Sequence, residues 1–250
     1  MTTCRTKKNP APENRREIGL VLLPEEVLLA ITVDGRLLSR LSCSPFGHEE
    51  LVLGWLFAQG LVRTPAEIAS LRFQDDRALV RLSPEAAPRL EQYHPVQVVA
   101  CSGGDLRPDL FTDLPKVSRC YEFTLPQVIQ LMEQLPNRTE MFKKHGGIHC
   151  SMLADMKEQS ILVSREDIGR SNSVDKVIGW GLVQKVDFSH TALFTTGRVS
   201  AEMALKVLHA GIAALVSQTT LTSKALEIVR QSGLTLIGHA LKPRPILLNF

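Results

Sequence analysis

Short apolar runs separated by turn residues fill the first half of the chain and predict strands. The segment 18–43, IGLVLLPEEVLLAITVDGRLLSRLSC, has two such runs on either side of Asp34-Gly35, a pair typical of a hairpin turn. LRFQ and ALVRLS predict a second pair of strands around Asp75-Asp76, and VQVVAC at 96–101 predicts a further strand. This half of the chain is therefore expected to be rich in short strands.

Two helical patterns lie among these strands. FTLPQVIQLMEQL at 123–135 predicts a helix that begins with a threonine cap and an early proline. The other helix is predicted in 44–62, SPFGHEELVLGWLFAQGLV, where apolar residues recur with helical spacing. The spacing predicts one apolar face, formed by Leu53, Leu56, Phe57, Gly60 and Leu61.

From about residue 145 apolar strands alternate regularly with helical patterns. The strands are ILVS, TALFTT, AALVS and LTLIG, and the helices are predicted at 171–185, 200–209 and 222–232. This order with short connections predicts an α/β domain with a parallel sheet and helices on its faces. We expect three parts: a basic tail at 1–16, an α+β domain at 17–124 that ends in the loop of Cys101, and the α/β domain at 125–250.

Composition places the chain among soluble globular proteins. Of its 250 residues 44% are apolar and 22% are charged, and the net charge is +3. The first sixteen residues lack the apolar core of a signal peptide, and no apolar run approaches the roughly 18 residues needed to span a bilayer. We therefore expect a cytoplasmic protein with no membrane and no nucleic-acid partner. The five cysteines are scattered without a CxxC pair, which argues against a disulfide framework or a cysteine-rich zinc site.

Three loops that follow predicted parallel strands share basic residues and glycine or capping residues. Ligands bind at the carboxyl ends of parallel strands, where arginine and free backbone N–H groups favour phosphate. The sequence therefore predicts a phosphorylated or nucleotide-like ligand, and the alternative is a set of ordinary polar loops. The residues concerned are Asp167, Arg170 and Asn172 in the first loop, Gly197 and Arg198 in the second, and His239 to Arg244 in the third.

The cysteines and histidines suggest chemistry at one position above the others. Cys101 ends an apolar run and precedes Ser-Gly-Gly, so it is either an accessible nucleophile or a packed core thiol. Cys150, beside His149, is expected to be buried. His48 is followed by two glutamates but not by the second histidine of a zinc protease, so it is expected to begin a helix rather than bind zinc.

Five segments resemble the FdhD/NarQ family, whose members are formate dehydrogenase accessory proteins described as sulfur carriers. The resemblance extends from about residue 18 to the C-terminus. The segments are 44-SPFGHEELVLGWLFAQGLV-62, 145-HGGIHC-150, 165-REDIGRSNSVDKVIGWGL-182, 196-TGRVSAEMALKVLHAGIAALVSQTTLTSKALEI-228 and 234-LTLIGHALKPR-244.

The resemblance implies a function, a fold and partners. Family members take sulfur from a cysteine desulfurase as a persulfide and pass it to the molybdenum or tungsten bis(guanylyl-pterin) cofactor of formate dehydrogenase. They are similar in fold to cytidine deaminases, without the zinc ligands, and tend to be homodimers. The family's loop cysteine corresponds to Cys101 and a family histidine to His149. Its cofactor-binding segment corresponds to His239, Ala240, Leu241, Lys242, Pro243 and Arg244.

The chain departs from the family pattern at several of these positions. Gly104 occupies the place of a second loop cysteine, and Ser171 follows REDIGR where a histidine is common. His239 and Leu241 replace a phenylalanine and an arginine. Two functions stay open: a sulfurtransferase-type carrier with Cys101 as the persulfide site, and a chaperone that binds and delivers the cofactor without sulfur chemistry.

Overall fold

A computed structural model describes residues 23–93, 114–117 and 122–250. The tail, the strand predicted at 96–101, Cys101 and Cys120 lie outside the described residues. The described part contains two mixed β-sheets and seven α-helices, and none of those helices is long and apolar enough to cross a membrane.

The first sheet is formed by the strands predicted in the first half of the chain. The turn between the first two strands is the expected hairpin, with positive φ at Asp34 (46°) and Gly35 (82°). The strand order is β2-β1-β4-β3, with β1 parallel to β4 and the other pairs antiparallel. The strands are β1 Val27–Val33, β2 Arg36–Cys43, β3 Ile68–Gln74 and β4 Arg77–Leu82.

Helix α1, His48–Ala58, packs against this sheet, and its burial differs from the prediction of a single apolar face. Seven of its eleven residues are buried, and they surround the helix. Leu51, Val52, Trp55 and Leu56 belong to the core of the first sheet, while Gly54 faces another helix. Gly60 and Leu61, predicted on the apolar face, follow the end of the helix. The spacing predicted a single apolar face, whereas α1 is covered by the first sheet on one side and by another helix on the other.

The second sheet has six strands in the order β10-β9-β8-β7-β5-β6. The four strands predicted from the sequence are parallel to one another, as expected. Two antiparallel strands were not predicted: β5 lies between β6 and β7, and β10 lies at the edge beside β9. The strands are β5 His149–Asp155, β6 Ser160–Asp167, β7 Thr191–Thr195, β8 Ala214–Ser217, β9 Thr235–Gly238 and β10 Ile246–Leu248.

Helices cover both faces of this sheet and give three layers. The last three helices pack against one face with Leu193, Leu215 and Leu236, and α3 packs against the other with Phe194 and Val216. The threonine cap predicted for α3 is present, because Thr124 and Gln127 form a capping box. The other helices are α2 Ala87–Glu91, α3 Leu125–Met132, α4 Glu140–His145, α5 Arg170–Val183, α6 Ala201–His209 and α7 Ser223–Ser232.

Residues 114–117, assigned to the first domain from the sequence, contact the second. The backbone N–H of Val117 donates to the carbonyl of Ser232 (3.0 Å) at the end of α7, and Leu114 packs against the same helix layer. The domain boundary at residue 124 stays a prediction, but residues 114 and 117 already contact the helices that cover the second sheet.

Helices α1 and α5 cross with their backbones in direct contact, and this crossing joins the two sheets. A Cβ atom placed on Gly54 would lie 1.9 Å from the carbonyl oxygen of Asp175, and one on Gly179 would lie 1.9 Å from that of Glu50. Real Cβ atoms do not approach backbone so closely, so both positions require glycine for packing.

We expect Gly179→Ala to lower the free energy of unfolding by at least about 3 kcal/mol, because the new methyl group must push two backbones apart. Gly181→Ala, on the same helix, is the matched control: its methyl would meet the Phe188 ring at 2.6 Å, and a side chain can shift. We expect about 1 kcal/mol or less there, since alanine also favours the helix. Urea denaturation measures both, and equal losses would contradict the backbone-contact interpretation.

Candidate functional site

The carboxyl ends of the four parallel strands meet at one edge of the second sheet. Asp167 ends β6, Thr195 ends β7, Ser217 ends β8 and Gly238 ends β9. Because β5 runs in the opposite direction, it begins at this edge, and His149 lies opposite Asp167 in the register. The three loops predicted to converge therefore do so, and His149 joins them. We call this region the carboxyl edge.

The loop after β8 connects its neighbours, and the sequence interpretation did not include it. The Ser217 hydroxyl donates to the carbonyl of Gly197 (2.8 Å) and accepts from the N–H of Thr219 (3.0 Å). The N–H of His239 donates to the carbonyl of Thr219 (2.7 Å), and that of Ala240 donates to the carbonyl of Ser217 (3.0 Å). A run of small polar residues after a buried strand is the signal that would have indicated this loop.

Asp167 and Asn172 lie beneath the carboxyl edge and hold its first loop. Asp167 is fully buried, pairs with Lys176 at 2.6 Å and accepts from the N–H groups of Gly169 (2.8 Å) and Ser44 (3.2 Å). Asn172 is 2% exposed and donates to Asp167 (3.0 Å) and to the carbonyl of Ser42 (2.7 Å). Of the two roles open to these residues, ligand contact and loop shaping, the contacts support loop shaping.

Arg170 and Gly197 bring the first two loops into contact. A Cβ on Gly197 would lie 2.8 Å from the Cβ of Arg170, so glycine allows the arginine side chain to lie across the second loop. The Nε of Arg170 is buried and has no hydrogen-bond partner within the described residues. A buried donor without a partner is costly, and a bound anion would satisfy it.

His149 lines a pocket of about 340 Å³ beside Arg170. Burial lowers the pKa of the His149 imidazole, the nearby Arg170 lowers it further, and Asp167 partly opposes both. The ring is therefore neutral at pH 7 and offers one donor and one acceptor nitrogen. The pocket is lined by Pro136, Thr139, Phe142, Gly147, Ile148, His149, Thr196 and Gln218.

Most of the remaining predicted residues lie at the surface of the carboxyl edge. Arg198, Lys242 and Arg244 are exposed, and their side chains form no hydrogen bond or ion pair within the described residues. His239 has a φ of 51°, a conformation that side-chain-bearing residues adopt rarely. In the same segment Ala240 is buried, whereas Leu241 is 39% exposed and Pro243 is exposed. The three unpaired positive charges therefore belong to the carboxyl edge but do not line the pocket of His149.

Arg165, another basic residue of the first loop, does not contribute to that charge. Its guanidinium binds the carboxylate of Glu50 through two contacts, of 2.5 and 2.6 Å, and this partner raises its pKa. Residue 165 lies within β6 rather than in the loop after it, so its side chain reaches α1.

The two described thiols are unreactive. Cys150 and Cys43 are fully buried, and burial raises the pKa of each thiol to about 12. His48 begins α1 and contacts the carbonyl of Ser44 through Nε2 (3.1 Å). Across residues 23–93, 114–117 and 122–250 there is no group of three or more His, Cys, Asp or Glu side chains that could hold a metal ion.

Comparison with known proteins places this geometry in a family. The model of the FdhD/NarQ family matches residues 24–247. The chain belongs to the FdhD/NarQ family. The protein named sulfur carrier protein FdhD from Geobacillus kaustophilus (strain HTA426) is 30% identical over 231 residues, covering 90% of this chain and 85% of that protein. The protein of the same name from Staphylococcus haemolyticus (strain JCSC1435) is 30% identical over 223 residues, covering 85% and 82%.

A solved structure shares the fold of this family member. It is the crystal structure of a protein proposed to be a formate dehydrogenase accessory protein from Desulfotalea psychrophila, with a TM-score of 0.72 and 22% identity. The match covers 90% of this chain and 87% of that chain. The mixed two-sheet architecture is therefore the architecture of a known accessory-protein fold.

The effect of Arg170 on His149 is testable in this family member by NMR titration. We expect the pKa of His149 to lie below 6.5 in the folded protein and to rise in Arg170→Gln, because removal of the positive charge makes protonation easier. Arg230→Gln, at an exposed position of α7, is the control and should leave the value unchanged. A wild-type pKa at or above 6.5 would contradict the burial of the ring beside Arg170.

Proposed function

We propose that this protein is a sulfur carrier that serves formate dehydrogenase and passes persulfide sulfur from a cysteine desulfurase to the molybdenum or tungsten bis(guanylyl-pterin) cofactor. Membership of the FdhD/NarQ family over residues 24–247 is the observation that supports the carrier function. The relatives named as sulfur carrier proteins agree with it. The positive, partly open carboxyl edge supports the second half of the proposal, the binding of a nucleotide-bearing substrate.

Cys101 is the proposed sulfur site, by its correspondence to the family's loop cysteine. Its thiolate attacks the outer sulfur of the desulfurase persulfide; a new S–S bond forms, the old one breaks, and the desulfurase thiolate leaves. In the second step the outer sulfur moves to the cofactor as sulfide, which restores the Cys101 thiolate. That step consumes two electrons, which a reduced metal centre of the cofactor supplies. The deeply buried Cys43 and Cys150 are unsuited to either step.

The carboxyl edge is the proposed site for the guanylyl portion of the substrate. Arg170, Arg198 and the basic residues of 239–244 have donors for phosphate oxygens, and arginine matches phosphate geometry with two parallel hydrogen bonds. The pocket beside His149 has a neutral imidazole and apolar walls, which suit a planar ring. Asp167 and Asn172 support the loop from below rather than touch the ligand.

A cofactor chaperone without sulfur chemistry is the second candidate. Gly104 in place of a second loop cysteine favours it, because a persulfide on Cys101 then has no resolving thiol within the loop. This candidate has the same nucleotide site as the first. The two differ only in whether Cys101 carries a persulfide.

Intact-protein mass spectrometry after incubation with a cysteine desulfurase and cysteine distinguishes the two. We expect the wild-type protein to gain the mass of one sulfur, about 32 Da, and Cys101→Ala to gain none, because the thiolate that accepts the sulfur is missing. Cys150→Ala, which removes a buried thiol of raised pKa, is the matched control and should behave as the wild type. No gain in wild type would favour the chaperone.

Binding of guanosine diphosphate tests the site independently of sulfur. We expect Arg170→Gln and Arg198→Gln each to weaken binding by about tenfold or more, since a lost charge-assisted hydrogen bond costs about 1.5 kcal/mol or more. Arg230→Gln removes an exposed arginine near the end of α7, away from the carboxyl edge, and should leave the affinity unchanged. Calorimetry measures the affinities, and equal binding by all variants would contradict the proposal that the nucleotide binds at the carboxyl edge.

A further inference from the structure

The first sheet has an outward face that is strongly basic. Its register places Arg40 and Arg77 on either side of Ala30, Arg72 beside Leu79, and Arg81 beside Ser70. The alternate positions, such as Ile31 and Ala78, point to the core with α1. We call the surface formed by Arg40, Arg72, Arg77 and Arg81 the arginine face.

The charge of the arginine face is uncompensated in the described part of the chain. All four arginines are exposed, and none of their side chains forms an ion pair or hydrogen bond there. The four strands contain five arginines and no Asp or Glu. The nearby acidic residues lie in turns or ahead of β1, namely Glu26, Asp34, Asp75 and Asp76, and none lies within 4.0 Å of these guanidinium groups. Four like charges on one sheet face raise its potential and attract an acidic surface.

Apolar side chains lie among the arginines. Leu28 is 58% exposed and Leu37 is 50% exposed, although leucine is depleted at surfaces. Leu79 lies with Arg72 and Arg81 in a broad concavity of about 880 Å³. Arginine is enriched in protein–protein interfaces, and the exposed leucines add apolar surface that a partner would bury.

We propose that the arginine face is a docking surface for a partner protein whose own surface is acidic and partly apolar. A second copy of this chain does not suit it, because two arginine faces would repel each other. Nucleic acid suits it less well, because the outward strand positions contain no lysine and no aromatic side chain for base stacking. Phe73, the one aromatic residue of these strands, lies on the opposite side and contacts the ring of His48.

The proposal gives the molecule two separate binding regions. The arginine face belongs to the first sheet, and the carboxyl edge belongs to the second. A partner protein on the arginine face and a ligand at the carboxyl edge can therefore bind at the same time. The choice of probes rests on the proposed function, which names two candidate partner proteins, a cysteine desulfurase and a formate dehydrogenase.

The test replaces Arg40, Arg72, Arg77 and Arg81 by glutamate in the full chain and measures binding of each purified candidate by biolayer interferometry. The matched control reverses four exposed basic residues elsewhere, Arg63, Lys157, Lys185 and Arg230. We expect the face variant to bind one candidate at least tenfold more weakly than wild type and the control variant to bind as wild type. Wild-type binding should weaken as salt rises from 50 to 300 mM. Leu28→Ser with Leu37→Ser should weaken the same complex at both salt concentrations.

Three results would overturn the proposal: no binding of either protein by wild type, equal binding by the face variant, or tighter binding of a 20-nucleotide RNA probe than of both proteins. Circular dichroism and thermal unfolding establish that each variant is folded, and an Arg→Gln version replaces any variant that is not. Persulfide formation on Cys101 and guanosine diphosphate binding are measured on the same samples. If guanosine diphosphate binding persists when docking is lost, the arginine face acts separately from the carboxyl edge, as proposed. If persulfide formation and guanosine diphosphate binding are absent in wild type, the proposed function fails even where docking holds.

Discussion

The contact between the backbones of α1 and α5 is the constraint on which the arrangement of the two sheets depends. Gly54 and Gly179 let the helices approach until a carbonyl occupies the place of a side chain on each. Helix α1 is the central core element of the first sheet, and α5 begins at the carboxyl edge of the second. The crossing therefore fixes the position of Arg170, at the first turn of α5, relative to the whole first sheet. Close helix packing of this kind sets the distance between the two helices.

Two neighbouring residues of α5, Asp175 and Lys176, form buried ion pairs next to the contact between α1 and α5. Lys176 pairs with Asp167 and lies 4.4 Å from the centre of the Phe46 ring, so one ammonium group joins α5, the end of β6 and the segment before α1. On the other side Lys206 contacts Asp175 (2.6 Å) and Glu202 (2.9 Å). Burial raises the pKa of Asp175, and the Lys206 ammonium opposes this effect. Buried pairs stabilise little in net terms, but removal of one partner is costly, so they specify one geometry of the loop at the carboxyl edge.

The sequence predicted those features that depend on local patterns. Turn chemistry identified the Asp34-Gly35 hairpin, periodicity located the four parallel strands, and basic residues after those strands indicated the carboxyl edge. The features that were missed depend on neighbours remote in sequence. Strand β5 reads HCSMLAD, which shows neither regular alternation nor a continuous apolar run, although its place between β6 and β7 is what brings His149 to the carboxyl edge. Nothing near Arg165 indicates that Glu50, 115 residues earlier, binds it. The buried roles of Asp167 and Asn172 follow from Ser42 and Ser44, which precede them by more than 120 residues.

These long-range contacts also explain why residues of one sequence segment differ in function. In REDIGRSN most polar side chains support the loop: Arg165 binds Glu50, and Asp167 and Asn172 bind the first half of the chain. The buried Nε of Arg170, by contrast, has no partner in the described residues. A motif of this kind is needed mainly to build the loop, and a single arginine in it is available for an anion. The departures from the family pattern at the half-buried His239 and the exposed Leu241 would then change the ligand contact proposed above without changing the fold. Changes beneath the loop would alter both, because the same hydrogen bonds hold the carboxyl edge and join the two halves of the molecule.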